Sequence, residues 1–284
     1  MIKFGPSGTG SIFEEEGFSK TIDVPNWLKG KGLDLYEYSF GRGVRMSEET
    51  AKIYGAEFAK HGIEISVHAP YFINLATQEE DKAANNHRYI KESLIALKNL
   101  GGQRCVFHPG SPLKMPREQA MELLMMRLDN LLSDLYASNL AENTMLAIET
   151  MGKQAQLGDV DEIIRMVARD KMLYPCIDFG HLNARTGGSL KSYDDYRIVL
   201  EKFIAGVGFD KVNNMHVHFS KIEYSAKGEV RHLTFEDTNF GPDFEPLAKA
   251  LIDLNLHPFI VCESAGTQTI DSLYMKNCYN NMLK

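Results

Sequence analysis

Several apolar, β-rich runs of this sequence end in residues that bind metals or move protons. They read VHAP (His68), VFHPG (His108), AIET (Glu149), CIDFGH (Asp178 and His181), MHVH (His216 and His218) and VCES (Glu263). A lone histidine at a strand end is ordinarily a hydrogen-bonded core residue. His68, His108, Glu149, Asp178, His216 and Glu263, each from a different run, are harder to account for, because burying so many ionisable groups without compensation costs several kcal/mol apiece. Divalent cations supply that compensation. Neutral imidazole together with carboxylate suits zinc, with manganese or iron as substitutes. One tetrahedral zinc takes about three or four protein ligands. His181 and His232 bring the candidates to eight, which implies two or three ions. Ions about 3.5 to 4 Å apart typically serve hydrolysis at phosphorus, by activating water and neutralising developing charge.

A scaffold must bring these positions together, and the alternation of short apolar runs with helix-period segments describes one. Strands are expected at Ile2–Phe4, Leu33–Tyr38, Ile63–His68, Arg104–His108, Met145–Glu149, Tyr174–Asp178, Asn214–His218 and Phe259–Glu263. Helical patterning fills Ser47–His61, Asp81–Leu100, Pro116–Asn139, Asp159–Arg169, Ser192–Ala205, Asp243–Leu254 and Thr269–Leu283. Ser47 followed by two glutamates is a helix start. Eight strands alternating with helical segments over 284 residues predict an α/β fold, a single (β/α)8 TIM-barrel domain spanning 1–284. All strand C-termini of such a barrel lie on one rim, so the candidate ligands meet there. A doubly wound open sheet is the alternative, but GPSGTG at Gly5–Gly10 lacks the GxGxxG spacing and reads as a plain tight loop.

Composition narrows the function classes. With 44% hydrophobic and 24% charged residues, the chain suits a soluble protein with a sizeable core. No apolar run reaches the ~18 to 20 residues of a membrane span, and no signal-peptide pattern opens the chain. Cys105, Cys176, Cys262 and Cys278 form no CxxC pair and read as reduced, buried thiols, which together predicts a cytoplasmic protein. We expect a monomer. A net charge of −7 argues against a generic nucleic-acid binder unless bound metal changes the local sign.

At the candidate ligands the sequence resembles the endonuclease IV family, the zinc-dependent apurinic/apyrimidinic endonucleases of base-excision repair. The matching stretches are HAPYFINLA (His68–Ala76), FHPGS (Phe107–Ser111), AIETMG (Ala147–Gly152), CIDFGHLNA (Cys176–Ala184), MHVHFSK (Met215–Lys221), RH followed by TNFG, and the terminal VCES. They occur in family order over nearly the whole chain. The resemblance implies that His68 and His108 hold a first zinc together with Glu149, which bridges to a second. Asp178, His216 and Glu263 would complete the second, and His181 and His232 would belong to a third. The implied activity is hydrolysis of double-stranded DNA 5′ to an abasic site, leaving a 3′-hydroxyl. Glu149 and Glu263 would be the catalytic carboxylates, Glu263 orienting the attacking hydroxide. Tyr71 matches a family tyrosine expected to pack on the strained duplex. Arg42 and Arg45 sit in a loop that resembles a DNA-contacting loop only in position and charge.

The sequence also departs from that pattern. Val230 stands where the family has an aspartate two residues before the ligand histidine, so the third site is expected to be weak or empty unless Glu229 substitutes. His218, two residues after His216, either reaches the metals or is a structural histidine bonded to a carboxylate. A rival reading is a sugar isomerase or epimerase of the xylose-isomerase-like barrel group, which the chain resembles at Glu149, Asp178, His216 and Glu263, a one-metal centre. A third is a non-catalytic relative that binds DNA. His68, His108 and the Asp178–His181 spacing favour the nuclease, because a one-metal isomerase does not need them.

Overall fold

The computed structural model describes residues 1–284. Ten strands form: β1 (Lys3–Pro6), β2 (Leu35–Ser39), β3 (Glu64–His68), β4 (Arg104–Phe107), β5 (Met145–Glu149), β6 (Leu173–Asp178), β7 (His216–Phe219), β8 (Ile222–Ser225), β9 (Gly228–His232) and β10 (Phe259–Cys262). Eight of them make one sheet in the order β1, β10, β7, β6, β5, β4, β3, β2, and every ladder in it is parallel. Its two edges approach each other. The Asp34 N–H donates to the Phe4 carbonyl at 2.9 Å, the Gly8 N–H donates to the Glu37 carbonyl at 3.1 Å, and Ser7 pairs with Glu37. This seam needs Gly5, since a Cβ there would lie 1.7 Å from the Leu35 carbonyl oxygen. The sheet is thus a nearly closed (β/α)8 barrel, as the alternation predicts.

Helices wrap the outside, and their starts follow local chemistry. The Ser47 side chain accepts from the Thr50 N–H at 3.1 Å at the start of Glu48–His61. Asp159 and Glu162 form a reciprocal capping box ahead of Val160–Val167. Leu28, Phe58, Leu97, Leu128, Ile163, Phe203 and Leu251 of these helices are buried in one apolar cluster with the outward faces of the strands. The cysteines are all free, and three of them are buried. No helix is long and apolar enough to cross a membrane.

Residues two apart on a strand share a face, so the barrel interior is layered. At the bottom the Arg104 guanidinium lies 3.9 Å from the centroid of the Phe259 ring. Above it Val106, Ala147 and Cys176 pack together. Two residues further along the same strands come His108, Glu149 and Asp178, at the C-terminal rim. The antiparallel hairpin β8–β9, which sequence patterning did not foretell, stands between β7 and the helix Phe244–Asp253. It is pinned to the loop after β5, where the Glu229 N–H donates to the Gly152 carbonyl at 3.2 Å and Lys153 bridges Gly228.

Candidate metal centre

Three groups of ligand atoms assemble on the C-terminal rim, the atoms of each within 4.8 Å of one another: His68, His108 and Glu149; Glu149, Asp178, His218 and Glu263; and His181, Glu229 and His232. All of them except the fully buried Asp178 and His218 line a cleft of about 320 Å³ that Tyr71 and Lys153 also border.

Glu149, almost wholly buried at the end of β5, joins the first two groups by dividing its oxygens. Oε2 lies 3.0 Å from His68 Nε2 and 3.1 Å from His108 Nε2. Oε1 lies 3.2 Å from His218 Nδ1 and 3.2 Å from His181 Nδ1. Burial opposes its charge, yet the neighbouring His108 and His218 imidazoles and the hydrogen bonds it accepts hold its carboxyl well below the usual range. The same contacts, working against burial, lift His68 to about 9 and His181 well above its ordinary value. Burial raises Asp178, against the pull of His181 and with the push of Glu149 and Glu263.

The imidazoles are aimed by what their other nitrogen touches. His68 Nδ1 donates to the Ala69 carbonyl at 2.6 Å, His108 Nδ1 to the Tyr71 carbonyl at 3.0 Å, and His181 Nδ1 to the Thr150 carbonyl at 3.0 Å. His232 Nδ1 bonds the Ser220 hydroxyl at 2.8 Å. Each of the four therefore turns Nε2 into the cleft, as a histidine does when a carbonyl or hydroxyl fixes its tautomer. Asp178 Oδ2 is buried with no hydrogen-bond partner, and Oδ1 accepts from the His181 N–H at 2.7 Å. An orphaned carboxylate oxygen beside two further carboxylates and two imidazoles, those of His181 and His218, is a donor set that fits divalent cations.

Two expectations are corrected here. The first is His216, which does not join Asp178 and Glu263; His218 takes that place. Both point into the barrel because they are two apart on β7, but the ladder pairs His216 with Cys176 and His218 with Asp178. His216 thus lies one layer too deep, fully buried, with Nε2 3.0 Å from Glu37 Oε2, and burial lowers its pKa. The second is the departure at Val230, where the geometry favours the alternative of Glu229 as the third group's carboxylate. The β8–β9 ladder shifts register so that Tyr224 faces Glu229 and Glu223 faces Arg231, leaving Val230 as the extra residue of a bulge. The bulge resets the alternation, so that Glu229 turns toward the cleft, with Oε2 3.5 Å from His181 Nε2, while Val230 is exposed. Gly152 leaves the room, since a Cβ there would lie 2.7 Å from Glu229 Cβ and 2.9 Å from His181 Cδ2.

Sequence reasoning missed Glu37. It stands alone among apolar and aromatic neighbours on β2, and its interior parity with Ser39 was its only signal. His218 and His216 hold its carboxyl well below the usual range despite full burial. Of the candidate DNA contacts, Tyr71 borders the cleft and is 60% exposed, with Phe72 beside it. Arg42 and Arg45 are exposed on the loop after β2 and do not line the cleft.

Over 284 residues the chain is 36% identical to an uncharacterized protein of Methanocaldococcus jannaschii, covering 99% of this chain and 98% of that one. A probable endonuclease 4 of Methanosphaera stadtmanae is 30% identical over 162 residues, so the chain matches only 55% of that relative's length. Among solved structures, endonuclease IV from Thermus thermophilus superposes with a TM-score of 0.69 at 19% identity, over 93% of this chain and 94% of that one. A D-tagatose 3-epimerase-like protein also superposes with a TM-score of 0.69 at 19% identity, over 88% and 90%. Both likenesses concern the fold. The family described as xylose isomerase-like TIM barrel matches residues 26–277, and the chain belongs to it.

Proposed function

We propose that this protein is a metal-dependent DNA repair endonuclease that hydrolyses the phosphodiester 5′ to an abasic site and leaves a 3′-hydroxyl. One observation carries the reading: the His68–His108–Glu149 and His181–Glu229–His232 groups flank the four-residue group that a one-metal enzyme needs. The endonuclease 4 relatives and the endonuclease IV likeness agree with it.

In this reading His68, His108 and Glu149 would hold a first ion, and Glu149, Asp178, His218 and Glu263 a second. His181, Glu229 and His232 would hold a third. Zinc suits the mixture of imidazole and carboxylate. Bound ions of this kind lower the pKa of water and neutralise charge developing at phosphorus. The protein's own groups set the geometry. Glu149 has both oxygens turned to ligand groups, so it would be shared between two ions and would not serve as a free base. Glu263, at the end of β10 with its side chain partly open to the cleft, accepts a proton from the attacking water and orients it. Tyr71, whose carbonyl already holds His108, presents its ring at the cleft mouth for packing against the duplex. No side chain needs to act as a covalent nucleophile.

A second reading is single-metal sugar epimerisation. The group Glu149, Asp178, His218 and Glu263 is complete without the others, and an epimerase-like protein shares the fold. Duplex DNA with one abasic site and a panel of ketohexoses separates the two. We expect nicking at the abasic site that a strong chelator abolishes and that Glu149→Ala, which removes the shared ligand, does not show. Epimerisation with no nicking would replace this reading by the second.

A further inference from the structure

We propose that Glu37 is a positioning residue, whose buried carboxylate takes the Nε2–H of His218 from beneath the centre and so presents that ring's Nδ1 to the ion held with Glu149, Asp178 and Glu263. The proposal rests on the reading of that group as a metal site.

The observations are geometric. Glu37 is fully buried in the middle of the barrel, one layer below the rim ligands. Its Oε1 lies 3.0 Å from His218 Nε2. Its Oε2 lies 3.0 Å from His216 Nε2 and accepts from the Ser66 hydroxyl at 3.1 Å. On the other side of the ring, His218 Nδ1 faces Glu149 Oε1 at 3.2 Å and Glu263 Oε2 at 3.5 Å. Both ring nitrogens face carboxylates, and the aligned hydrogen bond of the metal-free ring runs from Nδ1 to Glu149 Oε1 at 3.2 Å; an ion at Nδ1 would displace that hydrogen, and Glu37, which only accepts, would keep the other on Nε2. His218 is inverted relative to His68, His108, His181 and His232, which use Nδ1 for anchoring and Nε2 for the cleft. It is also the one of these five whose anchor is a carboxylate outside the three rim groups, and such an anchor raises the basicity of the ligating nitrogen.

Nothing else competes for the contact. His218 Nε2 and Glu37 Oε1 are buried and lack any aligned hydrogen-bond partner, though they stand 3.0 Å apart. A small rotation of the imidazole would bring that contact into line. Ser66 donates to the second oxygen and His216 Nε2 stands 3.0 Å from it, a place for a deep histidine that reaches none of the rim carboxylates.

The test compares wild type with Glu37→Gln and Ser66→Ala. Metal-free protein is titrated with Co²⁺ while its visible absorption is recorded, and zinc affinities are measured by chelator competition. For Glu37→Gln we expect one ion to be weakened about 10- to 100-fold, the range found when the partner behind a metal-bound histidine is lost. The absorption of that Co²⁺ ion shifts, and the remaining ions bind as in wild type. Ser66→Ala, which keeps the carboxylate and loses one of its hydrogen bonds, gives a smaller loss in the same ion. Wild-type affinities and an unchanged Co²⁺ spectrum in Glu37→Gln overturn the proposal and leave the metal reading intact. If Glu37→Gln does not fold, unchanged zinc affinity in Ser66→Ala overturns it instead. A wild type that takes up no metal overturns the metal reading and this proposal with it.

Discussion

His216 and His218 share one face of one strand, and depth alone separates them. Period-two spacing says that both point inward; it does not say which reaches the rim, because that depends on the stagger of neighbouring strands around the barrel. The pairing of His218 with Asp178 decides it. Glu37 was illegible for a related reason: a single carboxylate in a strand acquires meaning only when the residues across the barrel are known. His68, His108, Glu149, Asp178 and Glu263 were legible because each closes an apolar run, where a parallel barrel puts its chemistry. On the metal reading, His218→Ala removes one ion from the count obtained by elemental analysis, whereas His216→Ala retains the wild-type count. Equal counts in the two variants would contradict the assignment by depth. Some loss of stability accompanies His218→Ala, since Glu37 is left buried beside one imidazole fewer.

The eight barrel strands and the long helices were readable from periodicity, and the hairpin β8–β9 was not. Its strands are short, and the bulge at Val230 breaks the alternation that would have announced them. That bulge moves a carboxylate into the third group from a position where simple alternation would have aimed it away. The third ion is therefore expected to bind in wild type. Glu229→Ala should lose that ion while keeping the other two, and Val230→Asp should gain nothing, because residue 230 is exposed. Gly152→Ala should mimic Glu229→Ala in part, since its methyl group would displace both Glu229 and His181. Metal titration of the three variants beside wild type checks all of these, and tighter third-ion binding in Val230→Asp would show that the hairpin is mis-registered.

At the scale of the molecule, closure depends on β1 meeting β2, and Gly5 permits it. Gly5→Ala puts a methyl group against the Leu35 backbone, where no side-chain rotation relieves the contact. We expect a loss of about 3 kcal/mol or more in denaturant unfolding, at the upper end of the cost of overpacking. Because the seam underlies the rim, metal affinity should fall with it. A Gly5→Ala protein of wild-type stability would mean that the seam is looser than described. The net charge of −7 bears on DNA binding at the same scale. On the proposed reading, three divalent ions would add about six positive charges where a phosphate would sit. Chelated protein should accordingly bind duplex DNA less well than loaded protein, and the difference should shrink as salt rises.

Metal binding at the rim of the barrel would also be readable as heat. The rim carboxylates are balanced by hydrogen ions resting on imidazoles, His68 at about 9 among them. On the metal reading, loading the barrel would be an exchange reaction, metal in and hydrogen ions out. At neutral pH His68 holds a proton that an incoming ion must expel. Apparent affinity therefore climbs with pH, and the climb attributable to His68 flattens above about 9. The heat of zinc binding should also depend on the buffer that collects the released protons. Titrations at pH 7 in two buffers of different ionisation enthalpy should give different heats, and their slope is the number of protons expelled. Identical heats in both would mean that the imidazoles were already bare.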